Sequence, residues 1–343
     1  MINVYSKDYE RIGFIESYSY LSWVRRYSAV GEFELKCAPE NLPLLSLGNV
    51  IAKSKDDEAG IIETLLVESV EKELITVRGR FLPVLLESRI IWDTENLNGD
   101  IGGCIGQLIN NHAVNPTDTG RAIPNLSYKG IVTGKTIQTQ ISFKNLLETV
   151  TGICSETGVG IKSVLTGNGT SVSLYLGREQ PFVFSKEFEN LLSQNYTDSI
   201  KDFTNIAKVA GEGEGADRQT VVVGDATGLN RKEIFVDARD LASSEYEDEE
   251  KYLKALELRG NEKLYEKRRR ESFDAVANTN SNLTYRKDFD LGDIVTVKSG
   301  LLGISKRLRI TEITETYDEN GLHVDLIFGD PLPTLSERLK GVI

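Results

Sequence analysis

The sequence predicts an α+β fold that is mainly β, with two β-rich units flanking an α+β unit and a helical insertion in the second β-rich unit. Three observations predict it. Alternating apolar residues recur in the first and last parts of the chain. Turn-forming dipeptides separate these runs, and helical spacing is confined to the middle and to one charged stretch. At 343 residues, 40% of them hydrophobic, the chain is long enough for about two or three domains.

The first β-rich unit is predicted at residues 1–95. Residues 33–37 alternate strictly between polar and apolar side chains, as expected of a half-buried strand. Residues 64–70 and 74–77 form two such runs joined by a short charged link, which is typical of a hairpin. The unit closes with an apolar segment between basic residues, 78–92, which we expect to leave the sheet as a helix.

The α+β unit is predicted at residues 96–200. A glycine-rich stretch leads into a first helix, and residues 142–157 place apolar side chains on one side of a second helix. Gly158 follows as a suitable C-terminal cap. Two strands, at 161–165 and 171–176, are separated by a glycine-rich loop that predicts a tight hairpin.

The second β-rich unit is predicted at residues 201–242 and 278–343. Its closing hairpin is predicted at Asn320-Gly321, the dipeptide that most readily adopts positive φ angles in a two-residue turn. Residues 243–277 carry apolar side chains at helical spacing among charges, so they predict a helical insertion, broken at Gly260.

The helical insertion has an uneven charge distribution. Its acidic start contains Glu245, Glu247, Asp248, Glu249 and Glu250, and its basic later part contains Lys267, Arg268, Arg269 and Arg270. This order suits the helix dipole. Two interpretations stay open: a solvated surface helix, which is the usual one, or a contact with a neighbouring subunit.

Charge and cysteine usage exclude several classes of protein. The formal net charge is −12, from 52 acidic and 40 basic side chains, which disfavours binding to nucleic acid or to an anionic membrane. Cys37, Cys104 and Cys154 are too far apart for a disulfide framework, and we expect them to be buried. The first nine residues lack the apolar core of a signal peptide, and no run approaches the roughly 18 apolar residues of a membrane span. We therefore expect folding in the cytoplasm.

Two glycine-containing motifs superficially suggest nucleotide binding. Gly130-Ile-Val-Thr-Gly-Lys-Thr136 ends like a phosphate-binding loop, but its spacing is wrong and a strand pattern follows it. Gly211-Glu-Gly-Glu-Gly-Ala216 follows a strand, but another strand follows and its two glutamates would repel a pyrophosphate. A hairpin loop is the better interpretation of the second motif.

No metal site or catalytic site is predicted. His112 and His323 are the only histidines and lack partners at ligand spacing. We expect His112 to help end a helix and His323 to point out of a strand. Asp288-Phe-Asp-Leu-Gly-Asp293 is too short for a calcium loop and predicts a turn. The sequence thus predicts no catalytic residue, no cofactor and no metal, and we predict that the chain is not an enzyme.

Patterns across nearly the whole chain resemble the siphophage tail-hub proteins, relatives of the trimeric baseplate hub of contractile phage tails and phage-tail-like injection systems. The matching stretches are Arg11-Ile-Gly-Phe-Ile15, Leu21-Ser-Trp23, Arg25-Arg-Tyr27, Gly31-Glu-Phe-Glu-Leu35, Ile75-Thr-Val-Arg-Gly-Arg80, Arg89-Ile-Ile-Trp92, residues 288–297, Arg309-Ile310 and Phe328-Gly329. These are patterns of strands and turns, not invariant chemical groups.

The resemblance implies that both β-rich units are barrel-like domains and that three chains form a ring. Such a homotrimer presents six similar barrels, so it adapts the sixfold tail tube to a threefold central spike. The expected partners are tail tube protein, central spike protein and other baseplate or distal tail proteins. DNA is expected to pass through the acidic ring without specific binding. The expected location is the tail of a virion, or of a tailocin or other injection particle.

Two alternatives from other classes remain. A carbohydrate-binding or adhesin module of the tail tip would use Tyr18, Tyr20, Trp23 and Tyr27 for stacking. A hub-associated cell-wall hydrolase would need two acids in a cleft, and the sequence singles out no pair. Many relatives extend into such a hydrolase. Few residues follow Pro333 here, so we expect any lysin activity to come from another polypeptide.

Overall fold

The computed structural model describes residues 1–68, 73–215 and 218–332. Strands account for 44% of the structure and helices for 21%, in several sheets. This confirms the predicted α+β, mainly β class. Two compact units are present. Unit 1 comprises Met1–Asn195 and Phe273–Gly329, and unit 2 comprises Tyr196–Ser272 and the described residues after Gly329.

Unit 1 is built around a large sheet with strands from both ends of the chain. Its strands are β1 (Ile2–Tyr5), β2 (Arg11–Ile15), β3 (Tyr20–Arg26), β4 (Glu32–Cys37), β5 (Val50–Lys53), β6 (Ala59–Glu68), β7 (Leu74–Phe81), β13 (Glu179–Phe184), β14 (Leu191–Ser199), β18 (Arg270–Ala277), β19 (Ile294–Ser299), β20 (Ile304–Asp318) and β21 (Gly321–Gly329). The main order is β21-β20-β3-β4-β7-β6-β5-β1-β2, with β19 also on β20 and β13 on β19. Strands β14 and β18 belong to unit 1 only in part, since the boundaries between the units fall after Asn195 and before Phe273.

The antiparallel pair of β3 and β20 joins the first and last parts of the chain. Trp23 in β3 lies opposite Glu315 in β20. Strands from both predicted β-rich units therefore belong to one sheet. The proposed domain boundaries stay a prediction.

The core beneath β3, β4 and β7 is aromatic. Trp23 is completely buried, with ring centroids 4.6 Å from Phe81 and 6.0 Å from Phe33. The alternation predicted at residues 33–37 is confirmed, because Phe33, Leu35 and Cys37 are buried and the residues between them are not. Strands β6 and β7 pair antiparallel as the predicted hairpin, although its link at 69–72 lies outside the described residues.

The middle of unit 1 contains two helices and two small sheets. Its elements are β8 (Glu95–Asp100), α1 (Ile101–Ile109), β9 (Leu126–Lys129), β10 (Thr136–Ile141), α2 (Leu146–Thr157), β11 (Gly160–Thr166) and β12 (Gly169–Tyr175). Strands β8 and β10 form one sheet, and β11, β12 and β9 form the other. The second predicted helix is confirmed, but it begins at Leu146 because the Asn145 side chain accepts a hydrogen bond from the Glu148 N–H as an N-terminal cap. Gly158 ends it at φ +65°.

The segment at residues 78–92 is not the α-helix that we expected. Strand β7 continues to Phe81, and Leu82–Ser88 forms a 3₁₀ helix. Pro83 lies in the first turn of this helix. Proline is tolerated there because the backbone N–H that it lacks would have no partner within the helix. Arg89, the next residue, is extended. Of the residues after it, Ile90 and Trp92 are exposed and Ile91 is buried.

Unit 2 is a three-stranded sheet with a helix on one face. It contains β15 (Ile206–Ala210), β16 (Thr220–Val223), β17 (Glu233–Asp237) and α3 (Glu249–Glu266). The central strand β15 is antiparallel to β16 and parallel to β17. Tyr252 and Leu256 of α3 pack on Val209 and Val236 of the sheet. The predicted insertion at 243–277 is therefore helical only in part, since its last residues form β18, whose small buried residues Ala275 and Ala277 gave a weak strand pattern.

The predicted break at Gly260 is wrong, because α3 continues through it. A Cβ atom at Gly260 would lie 2.7 Å from Val223 Cγ2 and 2.8 Å from Val209 Cγ2. The glycine therefore allows the helix to approach the sheet closely.

This close approach gives a testable prediction. Gly260→Ala should lower the free energy of unfolding by about 1–3 kcal/mol, although alanine is the better helix former. The matched control is Gly152→Ala in α2, where a Cβ atom would have no neighbour within 4 Å. Gly152→Ala should raise the free energy of unfolding by about 0.5–1 kcal/mol. Urea unfolding followed by circular dichroism measures the change in unfolding free energy for both variants. Changes of the same sign would contradict the packing argument.

The closing hairpin is confirmed with a shift of one residue. Asp318 of β20 lies opposite Gly321 of β21, so Glu319 and Asn320 form the loop. Gly321 has φ +103°, a conformation that few other residues adopt. The hairpin between β11 and β12 is also confirmed. Within the described residues, no helix has the length and apolar character that spanning a membrane requires.

Candidate assembly interface

Strands follow both glycine motifs, whereas a nucleotide-binding loop opens an α-helix. In the first, the donors of the loop bind a carboxylate, because Asp100 Oδ2 accepts hydrogen bonds from the Thr133 N–H, the Thr133 hydroxyl and the Gly134 N–H, each at 2.9 Å. Strand β10 follows the loop instead of a helix. The second motif begins between the hairpin strands β15 and β16, as predicted, although Ala216 lies outside the described residues.

The histidines and cysteines have structural positions. His112 is buried, its Nε2 lies 2.9 Å from Glu95 Oε1, and its Nδ1 accepts a 3.3 Å hydrogen bond from the Trp92 N–H. His323 is exposed on β21, as predicted. The three cysteines are buried and free, which is also as predicted. No group of three potential metal-ligating side chains occurs among residues 1–68, 73–215 and 218–332.

The acidic turn at 288–293 binds protein groups. Asp288 accepts a hydrogen bond from the Thr284 N–H at 2.7 Å, and Asp293 accepts one from the Arg178 N–H at 2.9 Å. Asp290 pairs with the Arg25 guanidinium at 2.6 Å. The turn predicted for this stretch therefore holds neighbouring segments in place.

The aromatic residues proposed for sugar stacking do not form an open platform. Trp23 and Tyr27 are buried in unit 1. Tyr18 and Tyr20 are half-buried. A stacked sugar needs an exposed ring face, so Trp23 and Tyr27 are unsuitable for the adhesin alternative.

A buried ionic cluster, which the sequence did not reveal, lies where β3, β5 and β20 meet the segment before β19. Its members are Arg25, Lys53, Asp56, Glu58, Tyr285, Arg286, Asp290, Glu315 and Tyr317. Arg25 Nε lies 2.9 Å from Glu58 Oε2, and both side chains are buried. Around Glu315, Lys53 contacts one carboxylate oxygen and Arg286 Nη2 lies 2.9 Å from the other.

The cluster joins segments that are distant in sequence. Arg286 Nη2 also lies 2.6 Å from Asp56 Oδ2, so this guanidinium bridges the β5–β6 turn and β20. Buried charges are costly unless they are paired, which makes this constellation sensitive to the removal of any one member. Such a cluster can fix how the first and last parts of the chain meet.

Opposing effects set the pKa of the cluster carboxyls. Burial raises the pKa of Glu315, but Lys53, the Tyr317 hydroxyl and Arg286 outweigh burial and hold it below its ordinary value. For Glu58 the effect of burial is larger than that of Arg25, so its pKa is raised. The charged form of Glu315 therefore stabilises the fold above the unfolded-state pKa of about 4.3, and this contribution is lost as the pH falls through the lower folded-state pKa.

A pH-dependent effect of Glu315→Gln follows. The variant should lose about 2 kcal/mol of unfolding free energy at pH 7, because hydrogen bonds to charged groups contribute about 1.5–3 kcal/mol. At pH 3 the loss should be smaller, because the carboxyl of the wild-type chain is then partly protonated and contributes less. Glu319→Gln, in the exposed loop that follows β20, should change stability by less than about 0.5 kcal/mol at either pH. Urea titrations at both pH values measure this, and a loss independent of pH would contradict it.

An exposed aromatic patch forms where residues 89–92 run beside residues 143–146. Ile91 N–H donates to Lys144 O, and Ile91 O accepts from Phe143 N–H. Trp92 is 56% exposed and Phe143 is 75% exposed. The Arg121 guanidinium lies 4.8 Å from the Trp92 ring centroid. We call this surface the Trp92 patch; its members are Arg89, Ile90, Trp92, Arg121 and Phe143.

Two further surfaces expose apolar side chains. The edge strand β2 exposes Ile12 and Phe14. In unit 2, the sheet face opposite α3 exposes Val222 and Phe235 on either side of Lys208, with which both are in register. Edge strands and open sheet faces are common protein–protein contacts.

The comparisons with known proteins identify the family. The family model for siphovirus ReqiPepy6 Gp37-like proteins matches residues 1–330. The chain belongs to this siphovirus family. A comparison with curated protein sequences gave no match.

Solved structures share the fold of this family member. A tail protein from Neisseria meningitidis MC58 superposes with a TM-score of 0.60 at 13% identity, with 96% of each chain covered. Prophage tail protein gp18 from Listeria monocytogenes EGD-e gives 0.60 at 11% identity, with 99% of each chain covered. The Francisella PdpA-VgrG complex, half-lidded, gives 0.51 at 11% identity, covering 97% of this chain and 59% of the other. The resemblance to phage tail proteins is thus confirmed for family and fold.

Proposed function

We propose that this chain is a structural, non-enzymatic hub protein at the distal end of a phage tail or a phage-tail-like particle. The observation that carries the proposal is the siphovirus family match over residues 1–330. The fold supports it, since tail proteins from two bacteria align with nearly the full length of the chain.

The proposed assembly is a homotrimeric ring that adapts the sixfold tail tube to a threefold central spike. Each subunit contributes strands from two β-rich stretches, so three copies offer six comparable surfaces to six tube subunits. The partners are tail tube protein, central spike protein and other baseplate or distal tail proteins. The net charge of −12 suits a ring through which DNA passes without being held. The location is the tail particle, after folding in the bacterial cytoplasm.

Light scattering of the purified chain at several concentrations tests the ring. A mass near three times 38.1 kDa is expected, and electron-microscopy images of the chain bound to tail tubes should average with threefold symmetry. The absence of a threefold ring, both alone and on tubes, would overturn the proposal. Zymography on cell-wall material tests the non-enzymatic role, since cleavage by the pure chain would favour the hydrolase alternative.

A further inference from the structure

We propose that the Trp92 patch is one half of the contact between copies of this chain, and that it binds the acidic segment 245–250 of the neighbouring copy. The inference rests on the proposed trimer and names the surfaces that would close it. It assigns the patch a partner of defined chemistry: an exposed acidic helix start on a second, identical chain.

The backbone beneath the patch is held from two sides. Leu146 N–H donates to Arg89 O, and Ile91 bonds to both Phe143 and Lys144, so residues 89–91 and 143–146 are fixed to each other. From behind, the buried His112 accepts the Trp92 N–H. A side chain presented from such a fixed backbone loses little conformational freedom on binding.

Phe143 has an unusual conformation. Its φ is +55°, although it is not glycine, and its side chain is largely exposed. Phe143 and Lys144 both bond to the single residue Ile91, so one strand carries an extra residue, as in a β-bulge. Positive φ at a bulky residue costs free energy, and such residues cluster at functional sites. Here the bulge places an aromatic ring in solvent beside the Trp92 segment.

The composition of the patch is that of an interface centre. Trp, Phe and Arg are enriched in the parts of interfaces that dominate binding. The Arg121 guanidinium covers one side of Trp92 and donates to Ile90 O at 2.7 Å, and Arg89 donates to Arg121 O. In the described part of the chain, neither guanidinium has a carboxylate within 4.0 Å. Two positive charges are thus available to a partner.

Symmetry and charge identify the occupant. A cyclic trimer needs a heterologous contact, in which one surface of each copy meets a different surface of the next. Because Arg89 and Arg121 are positively charged, an acidic surface is the complementary other half. The densest acidic run of the chain is the exposed start of the helical insertion, which contains Glu245, Glu247, Asp248, Glu249 and Glu250.

Part of this acidic segment is already used within its own chain. Asp248 caps α3 by accepting from the Lys251 N–H at 2.8 Å, and Glu247 pairs with Lys251. Glu245 and Glu250 have no cation within 4.0 Å in the described ranges. These two carboxylates are available to pair with Arg89 and Arg121 of the neighbour.

Charge reversal tests the inference on the full chain. Arg89→Glu with Arg121→Glu, or Trp92→Ala alone, should raise the concentration at which the trimer dissociates at least tenfold, as read from light-scattering mass. Glu245→Arg with Glu250→Arg should do the same. Combining both pairs of reversals should restore the trimer. Arg307→Glu, which removes an exposed arginine paired with Glu179, is the matched control and should leave the mass unchanged, and circular dichroism confirms that each variant is folded.

Each outcome supports or overturns the inference, and the same variants are compared as ring images on tubes if the wild-type ring forms only there. A wild-type trimer that persists in the arginine-reversed variant overturns the inference but leaves the proposed function intact. Dissociation without rescue by the combined variant shows that segment 245–250 is not the partner and also overturns it. Unchanged mass together with glycan binding that Trp92→Ala abolishes would overturn it in favour of a sugar-binding patch. A wild-type chain that forms no threefold ring, alone or on tubes, overturns the proposed function itself.

Discussion

Replacement of Arg25 by methionine is expected to lower the free energy of unfolding of unit 1 by about 3–5 kcal/mol. Arg25 is only 6% exposed and pairs with Glu58, which is 4% exposed, and with Asp290. Methionine fills much of the same volume but leaves Glu58 buried without a compensating charge. The cost is the desolvation of that carboxylate, not the loss of a surface contact. Urea unfolding followed by tryptophan fluorescence measures this loss.

Arg78→Met is the matched control for the same chemical change. Arg78 pairs with Glu34 near the surface of the same sheet, and its side chain is about half exposed. Because solvent screens this ion pair, Arg78→Met should lower the free energy of unfolding by less than about 1 kcal/mol. Adding Glu58→Gln to Arg25→Met should recover part of the larger loss, because the unpaired charge is removed as well. A loss below about 1 kcal/mol for Arg25→Met would show that the cluster does not stabilise the fold.

Trp23→Ala should also cost about 3–5 kcal/mol, because it creates a large cavity beside Phe33 and Phe81. The chain has only two tryptophans, and the other provides the control. Trp92 is more than half exposed, so Trp92→Ala should change the stability of the isolated chain by less than about 1 kcal/mol. Chemical denaturation monitored by circular dichroism compares the two variants. A small loss at Trp23 with a large one at Trp92 would reverse their assigned roles.

The two tryptophans also bear on the adhesin alternative. Trp23 is one of the four residues that the sequence offers for sugar stacking, and its completely buried ring stabilises the core. In the sequence, Trp92 is the end of an apolar segment and of one stretch that resembles the tail-hub proteins, with no sign of its exposure. Its exposure follows from a strand-like path that the sequence did not predict, because the segment's apolar residues suited a helix equally well.

The sequence by itself determined the mainly β class, the hairpins at the β11–β12 and β20–β21 turns, the C-terminal end of α2 at Gly158 and the burial of the cysteines. These features depend on neighbouring residues: side chains that alternate along a strand, residues that accept positive φ, and apolar side chains on one side of a helix. Because these features depend only on nearby residues, they can be predicted without knowing the fold.

Only the tertiary structure decided which distant segments meet. The pairing of Trp23 with Glu315, the bridging of Asp56 and Glu315 by Arg286, and the meeting of residues 89–92 with 143–146 have no local signal. An isolated arginine or glutamate in a sequence carrying 92 charged side chains, 40 basic and 52 acidic, does not reveal its partner. Burial and pairing depend on the surrounding fold. Gly260 is a further example, because the sequence predicted a break there whereas the structure places it inside α3, packed against the sheet.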